Sequence, residues 1–290
     1  MTRALEQRSA WIIAHPVGHS LSPVMHNAAF AATGFAARYA ALDVAPAALT
    51  QVFGRLRGAD ALGANVSLPH KQAAARLVDE LAPEAAALGA VNTVVNQAGV
   101  LLGSNTDVGG FLDGLLELAP ELGPGGFTAL VLGAGGAARA VVWGLVGLGA
   151  EVVIVNRDAV RAGELVSLLE TAGLRRGRAL AATADKIEPG AFDLVVNTTT
   201  VGMAGGPAAT ALPLLERSQL ERLRGGAVVS DLVYRPAVTP LLAAAAEVGL
   251  RRQNGVAMLV GQGARSFEAW TGLPAPVAVM RAAVEEALAG

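Results

Sequence analysis

Short apolar runs alternate along the chain with longer segments whose apolar residues recur every three or four positions. The runs predict strands and the longer segments predict helices, because side chains alternate across a strand but return to one face of a helix after about one turn. Up to residue 103 the pattern predicts strands at 11–14, 39–44 and 64–68, helices at 24–32, 49–56 and from 71 toward 81, and a hairpin of 90–95 with 100–103.

The second half of the chain continues this alternation and then becomes helical. Regular alternation of strands with helices favours an α/β fold built from packed layers. The predicted strands are 128–132, 151–155, 194–197 and 227–232, and the predicted helices are a segment ending at 148 and the segments 240–246, 258–270 and 276–289.

Composition excludes several classes of protein. A net charge of −2, with no stretch that interleaves basic and aromatic residues, predicts no nucleic-acid binding. The longest uncharged part of the apolar region 129–155 is the 11 residues from 140 to 150, short of the roughly 20 that span a membrane. The absence of cysteine excludes disulfides and, with no apolar signal core in the first nine residues, predicts a cytoplasmic protein.

The four histidines predict no metal site. His15, His19, His26 and His70 form no clear set of ligands. We expect His19 in a turn and His26 on the surface.

A glycine cluster follows the predicted strand 128–132 and opens a helix. Gly133-x-Gly135-x-x-Ala138 has the spacing of a dinucleotide-binding turn, in which glycines let the backbone approach a pyrophosphate at a helix N-terminus. Gly136 and Ala137 lie inside this turn. The alternative is a tight turn without a ligand.

The strand after this helix ends at Asn156 and is followed by Arg157 and Arg161. An NAD enzyme would usually carry an acidic residue at that strand end to bind the ribose hydroxyls. Two arginines one helical turn apart can instead bind a 2′-phosphate, so the sequence favours NADP, with NAD as a weaker second cofactor. A solvated arginine pair is the alternative.

Lysine is rare in this chain. Of the 22 lysines and arginines, 20 are arginines, and the lysines are Lys71 and Lys186. An ammonium group can lose its proton when desolvated, whereas a guanidinium does not. Lys71 follows a polar turn, so we interpret it as a candidate acid–base group; a surface charge is the alternative.

Polar residues in apolar surroundings supply further candidates. Ser20 and Ser22 flank a helix start, where two hydroxyls and a positive helix end suit a carboxylate. Ser22 is also predicted to be the N-cap, with Pro23 as the first helical residue. Asn92 and Asp107 are equally consistent with turn residues and with site residues.

Eight motifs, in order along nearly the whole chain, resemble those of the shikimate dehydrogenase family. They lie at residues 15–23, 64–71, 89–93, 103–107, 133–137, 197–203, 231–236 and 258–262, the last followed by Phe267 and Trp270. The resemblance implies a Rossmann-like NADP-binding domain (113–239) inserted in an α/β substrate-binding domain (1–112 and 240–290). It also implies an active site in the cleft between them and reversible reduction of 3-dehydroshikimate to shikimate by a monomer or homodimer.

The same resemblance implies a role for each matched residue. Lys71 and Asp107 would form the catalytic pair. Shikimate would be bound by Ser20 and Ser22 at its carboxylate with Tyr234 nearby, and by Ser67, Asn92, Asp107 and Gln262 at its hydroxyls. The cofactor would be bound by the glycine turn, by Asn156, Arg157 and Arg161 at the adenosine phosphate, and by Met203 and Gly255 near the nicotinamide.

Two positions depart from the family pattern. Ser67 stands where the family usually has threonine, and Asp158 follows Asn156-Arg157 where it usually has threonine. The second departure bears on cofactor choice. The rival interpretations are a quinate/shikimate dehydrogenase with relaxed cofactor use and a non-catalytic sensor that binds nucleotide and a cyclic acid; a sensor has no use for a Lys71–Asp107 proton relay.

Overall fold

The computed structural model describes residues 8–174 and 176–289, and their contacts divide the chain into two compact units. The first unit comprises Met1–Gly110 and Leu259–Gly290, and the second unit comprises Phe111–Met258. A continuous segment is therefore inserted into a unit built from both ends of the chain. The predicted limits of this insertion, 113 and 239, differ from the observed ones mainly at the second limit.

Between residues 8 and 118 the structure describes six strands and five helices. These are β1 (Arg8–Ala14), α1 (Ser22–Thr33), β2 (Ala37–Asp43), α2 (Leu49–Arg55), β3 (Ala61–Val66), α3 (Lys71–Ala74), β4 (Glu80–Leu81), α4 (Pro83–Leu88), β5 (Thr93–Gln97), β6 (Val100–Ser104) and α5 (Thr106–Leu118).

The described residues from 119 to 289 add six strands and six helices. These are β7 (Thr128–Leu132), α6 (Gly136–Gly147), β8 (Glu151–Val155), α7 (Ala159–Thr171), β9 (Arg178–Ala182), β10 (Leu194–Asn197), α8 (Arg217–Leu220), β11 (Val228–Asp231), α9 (Pro240–Glu247), β12 (Arg251–Gln253), α10 (Val256–Thr271) and α11 (Val277–Ala289). Short 3-10 helices cover Pro46–Ala48, Pro120–Leu122, Ala184–Lys186 and Pro189–Ala191. None of the helices in the described residues has the length and apolar character needed to cross a membrane.

The first unit contains a mixed sheet in the order β2-β1-β3-β5-β6-β4. β1 is parallel to β2 and β3, whereas β5 is antiparallel to β3 and β6. The carboxyl end of β3, the start of β5 and the end of β6 therefore meet at one edge, where Thr93 pairs with both Asn65 and Ser104. We call this the carboxyl edge of the first sheet.

The prediction of a helix from residue 71 toward 81 is wrong beyond the first helical turn. α3 ends at Ala74, and β4 pairs in parallel with β6. Asp79 accounts for the change: its carboxylate accepts a hydrogen bond from the Leu101 backbone at 2.7 Å and contacts Arg57 at 2.5 Å. These contacts hold the segment against the strand, and local propensity yields to tertiary pairing.

The second unit contains six parallel strands in the order β12-β11-β10-β7-β8-β9. Numbered within the unit, this is the 3-2-1-4-5-6 order of a Rossmann fold. Buried apolar side chains cover both faces of the sheet, as a parallel sheet requires. The predicted Rossmann-like fold is confirmed, and its strand order reverses between β7 and β10.

Residues 240–258 belong to the second unit because of strand pairing. β12 pairs in parallel with β11, and Leu241, Leu242 and Ala245 of α9 are buried in the core of that unit. The helical pattern after residue 240 did not show this short strand, whose residues Arg251 and Arg252 are exposed.

Candidate active site

The carboxyl edge of the first sheet collects the polar residues of three separate motifs. Ser67 follows β3, Asn92 precedes β5, and Asp107 lies in the first turn of α5 just after β6. Backbone hydrogen bonds join the three segments: Val66 N–H donates to Asn92 at 2.7 Å, and Asn92 N–H donates to Ser104 at 3.1 Å. Sheet topology thus brings residues from distant parts of the sequence to one place.

Lys71 and Asp107 form a direct pair. Lys71 Nζ donates to Asp107 Oδ2 at 2.5 Å, and the two side chains are only 18% and 8% exposed. Asn92 Nδ2 donates to the other carboxylate oxygen, Oδ1, at 2.8 Å. A charge-assisted bond removed from water is short and directional, so the pair fixes a lysine ammonium beside a carboxylate whose second oxygen is already occupied.

Glycines allow the helix that carries Asp107 to approach the helix that carries Gln262. A Cβ on Gly110 would lie 2.2 Å from the Gln262 backbone nitrogen, and one on Gly261 would lie 2.6 Å from the Gly110 oxygen. α5 and α10 therefore touch through their backbones at this point. Gln262 is buried, and its side-chain amide donates to Leu259 at 2.7 Å.

The start of α1 differs from the prediction. Ser22 is the first helical residue, Leu21 occupies the N-cap position, and no side chain of the described residues caps the helix. Ser20 Oγ instead accepts a hydrogen bond from Ser22 N–H at 3.3 Å. Ser22 is buried, beside the Tyr39 phenol. α1 therefore begins one residue earlier than predicted, at Ser22 and not at Pro23.

Sequence reasoning missed a group of buried polar residues behind Asn92. Tyr39 donates to Asn65 Oδ1 at 2.8 Å, and Asn65 Nδ2 donates to Thr93 at 3.1 Å and to Ser266 at 2.8 Å. All four of these residues are buried. The available signal was an asparagine inside an apolar strand, but its partner Ser266 lies 201 positions away.

His26 is buried, so the prediction of a surface position is wrong. Its ring stacks on Tyr39 with centroids 4.4 Å apart and lies 5.2 Å from the Trp270 ring. Burial lowers the pKa of His26 from 6.5 to about 3, and neither ring nitrogen has a hydrogen-bond partner among the described residues. His26 is a neutral member of an aromatic cluster.

The glycine turn of the second unit lies at the end of β7, beside the reversal of strand order. Gly133 has φ of +110°, and a Cβ there would lie 2.6 Å from Thr198 Oγ1 at the end of β10. A Cβ on Gly135 or Gly136 would meet nothing within 4 Å. With no side-chain cap on α6 among the described residues, the N–H groups of its first turn, including that of Ala137, are suited to a pyrophosphate.

The residues after β8 lie at the next strand end. Asn156 Nδ2 donates to the Asp158 backbone at 2.9 Å. Asp158 is the N-cap of α7, accepting from Val160 N–H at 3.0 Å, and its other oxygen is 3.6 Å from Arg161 Nε. Arg157 and Arg161 are exposed, as two groups that bind a phosphate in solvent would be.

Tyr234, Met203 and Gly255 also belong to the second unit. Burial raises the pKa of the Tyr234 phenol, and Met203 is exposed for so large an apolar side chain, at 39%. A Cβ on Gly255 would lie 2.0 Å from the Leu232 oxygen, so only glycine fits there.

A second buried polar cluster, also missed from sequence, supports these loops. Asn197 at the end of β10 donates to Asp231 Oδ1 at 2.8 Å, and Thr239 donates to Asp231 Oδ2 at 2.6 Å. Burial raises the pKa of Asp231. The cluster ties the segment that carries Met203 to the segment that carries Tyr234.

A glycine turn at the reversal point of a parallel sheet is the dinucleotide-binding arrangement typical of many oxidoreductases. Residues 12–94 match the family model of the shikimate dehydrogenase substrate binding domain, and residues 255–285 match that of the shikimate 5'-dehydrogenase C-terminal domain. The shikimate dehydrogenase (NADP(+)) of Methanopyrus kandleri is 46% identical, over 96% of this chain and 94% of its own. The chain belongs to the shikimate dehydrogenase family, as the motifs predict.

Solved structures agree in fold. The shikimate 5-dehydrogenase of Thermus thermophilus in complex with NADP(H) and shikimate has a TM-score of 0.82 and 38% identity, covering 97% of this chain and 100% of that chain. The quinate dehydrogenase of Corynebacterium glutamicum in complex with NAD has a TM-score of 0.86 and 32% identity, covering 97% and 99%.

Proposed function

We propose that this chain reversibly reduces 3-dehydroshikimate to shikimate with NADPH, and that Lys71 and Asp107 carry the proton. The observation that carries the proposal is the 2.5 Å contact between Lys71 Nζ and Asp107 Oδ2 in a largely buried setting. Reduction of a ring ketone needs a proton at the carbonyl oxygen, and a positioned ammonium is a donor. In the reverse direction the same amine accepts the proton of the C3 hydroxyl.

The residues of the first unit hold the substrate. Ser20 and Ser22 bind its carboxylate at the start of α1, where the helix dipole is positive. Ser67, Asn92, Asp107 and Gln262 bind its hydroxyls. Asp107 holds the Lys71 side chain in place through the hydrogen bond from Lys71 Nζ to Asp107 Oδ2.

The second unit binds the cofactor, which supplies the hydride when bound. The glycine turn of Gly133, Gly135, Gly136 and Ala137 takes the pyrophosphate, and Asn156, Arg157 and Arg161 take the adenosine ribose and its 2′-phosphate. Two residues of this unit lie beside the nicotinamide, Met203 and Gly255. Tyr234 lies beside the substrate carboxylate. A cytoplasmic location, a monomeric or homodimeric state and the absence of nucleic-acid binding remain predictions.

The assay that tests this function follows absorbance of the reduced nicotinamide with shikimate or quinate and with NADP+ or NAD+. Shikimate with NADP+ should give the highest kcat/KM. Higher kcat/KM with quinate, or with NAD+, would replace the proposal by a quinate/shikimate dehydrogenase. Binding of shikimate without any turnover would identify a sensor.

Replacement of Lys71 tests the proton transfer. Lys71→Ala and Asp107→Ala should each lower kcat by about 10²–10⁴-fold, because loss of a positioned acid–base group removes an interaction made in the transition state. Since the pair acts as a unit, the double variant should lose far less than the product of the two single losses.

Lys186→Ala is the matched control, because Lys186 is the other lysine of the sequence and is exposed. Its kcat should stay at the wild-type value. Near-normal turnover by Lys71→Ala would end the assignment of Lys71, even if the wild-type protein oxidises shikimate.

A further inference from the structure

Thr93 is fully buried at the centre of the polar cluster behind the catalytic pair. Its Oγ1 lies 3.0 Å from Asn92 Oδ1, 3.1 Å from Asn65 Nδ2, 2.9 Å from Ser266 Oγ and 3.0 Å from Thr106 Oγ1. These neighbours come from β3, α5, α10 and the residue before β5. The roles assigned above give Thr93 no part in the reaction.

The donors and acceptors around Thr93 limit the directions that these hydrogen bonds can take. A hydroxyl has one proton to donate and accepts at two lone pairs, whereas an amide nitrogen only donates. Asn65 Oδ1 accepts from Tyr39 at 2.8 Å, so Asn65 Nδ2 faces Thr93 and Ser266 as a donor. Ser266 donates its proton to the Gln262 backbone at 2.9 Å. Thr93 donates to Asn92 Oδ1, which is the amide oxygen among its three possible acceptors; the other two are the hydroxyls of Ser266 and Thr106.

The orientation of the Asn92 amide follows from this. Its Oδ1 accepts from Thr93 and from Thr106 N–H at 2.7 Å, which leaves Nδ2 to donate to Asp107 Oδ1 at 2.8 Å. An inverted amide would place its oxygen against the Asp107 carboxylate and its NH2 group against the Thr106 N–H. A buried acceptor facing a carboxylate is costly.

We propose that Thr93 is a positioning residue for the catalytic pair. Its hydroxyl holds the Asn92 amide so that Asn92 occupies Asp107 Oδ1 and Lys71 takes Oδ2. This inference rests on the proposed function, since it assigns Thr93 a part in that proton transfer. Thr106 N–H holds the same Asn92 oxygen, so loss of the Thr93 hydroxyl should weaken the arrangement without destroying it.

Two substitutions at this position separate the hydroxyl from the side-chain shape. Thr93→Val keeps the shape and removes the hydroxyl; it should lower kcat for shikimate oxidation by about tenfold, since small displacements of catalytic groups are costly. Thr93→Ser keeps the hydroxyl and should retain kcat within about twofold. Thr33→Val is the matched control, because within the described part of the chain the Thr33 hydroxyl donates to Ala29 and Phe30 of its own helix, α1.

The Asn92→Ala background shows whether Thr93 acts through Asn92. If it does, Thr93→Val should change kcat of Asn92→Ala by less than about twofold, because the partner it positions is gone. A loss of packing or stability would instead multiply with the Asn92→Ala effect. For each variant, thermal melting curves would measure stability, and calorimetry would measure shikimate binding without cofactor. If Thr93→Val does not fold, Thr93→Ala replaces it, with kcat measured below the melting temperature of that variant.

These outcomes keep the two proposals apart. No shikimate oxidation by the wild-type protein would overturn the proposed function itself. If the wild-type protein turns over shikimate and kcat of Thr93→Val is within twofold of the wild-type value, only the positioning role is overturned. Equal losses of kcat in Thr93→Ser and Thr93→Val would overturn it too. So would a loss of kcat in the Asn92→Ala background as large as in the wild-type background.

Discussion

At the scale of single residues, Ser20 and Ser22 are held in different ways. Ser20 is half-buried and uses its oxygen to accept from Ser22 N–H, so its hydroxyl proton is available to a ligand. Ser22 is buried, beside the Tyr39 phenol. The two hydroxyls therefore make separable contributions, one to ligand binding and one to both binding and the fold.

Alanine at each serine should reveal this difference. Ser20→Ala should raise KM for shikimate and leave the melting temperature unchanged. Ser22→Ala should raise KM and also lower the free energy of unfolding by up to about 1.5 kcal/mol, because a buried polar side chain is lost. Steady-state kinetics and thermal unfolding measure both effects, with exposed Ser167→Ala as the control. An unchanged KM in both variants would show that the carboxylate binds elsewhere.

At the scale of elements, α1 packs on β2 through an aromatic cluster that contains one histidine. His26 of α1 stacks on Tyr39 of β2. Its pKa is lowered from 6.5 to about 3 by burial, so the folded protein keeps the ring neutral over a range in which the unfolded chain protonates it. The unfolded state then binds more protons, and stability must fall as pH falls.

The contribution of His26 should be measurable in the pH dependence of the free energy of unfolding. Between pH 6.5 and about 3, His26 should reduce the free energy of unfolding by up to about 1.4 kcal/mol per pH unit. Denaturant unfolding at pH 7.5, 6 and 5 in wild type and His26→Leu measures the difference, with exposed His19→Leu as the control. If the stability of His26→Leu relative to wild type does not rise as pH falls, the ring is not buried neutral.

Also at this scale, the sequence predicted the long elements and missed those that depend on partners. Strands such as β7 and β8 follow from runs of buried apolar residues. β4 has two exposed residues and exists because β6 and Asp79 hold it. The site divides likewise: the motifs identified Lys71, Asn92 and Asp107, whereas Asn65, Thr93 and Ser266 meet only after the sheet and α10 assemble.

At the scale of the whole molecule, cofactor choice depends on a small balance of charges beside β8. Arg157 and Arg161 can bind a 2′-phosphate, and each hydrogen bond to a charged group contributes about 1.5–3 kcal/mol before screening by solvent and salt. Asp158 opposes them, but one of its oxygens caps α7 and the other faces Arg161. The carboxylate is thus partly engaged within the protein, which leaves the balance in favour of phosphate.

NADP should therefore be preferred over NAD by about tenfold or more in kcat/KM, since about 1.4 kcal/mol corresponds to a factor of ten. Asp158→Thr should increase this ratio several-fold, because threonine can still cap the helix but carries no charge to repel the phosphate. Arg157→Ala should lower the ratio mainly through KM for NADP, and exposed Arg222→Ala should leave it unchanged. Ratios measured at low and high salt should converge, because exposed charges are screened. Equal kcat/KM values for the two cofactors, or a higher value for NAD, would contradict the assignment of the two arginines and favour the quinate/shikimate alternative.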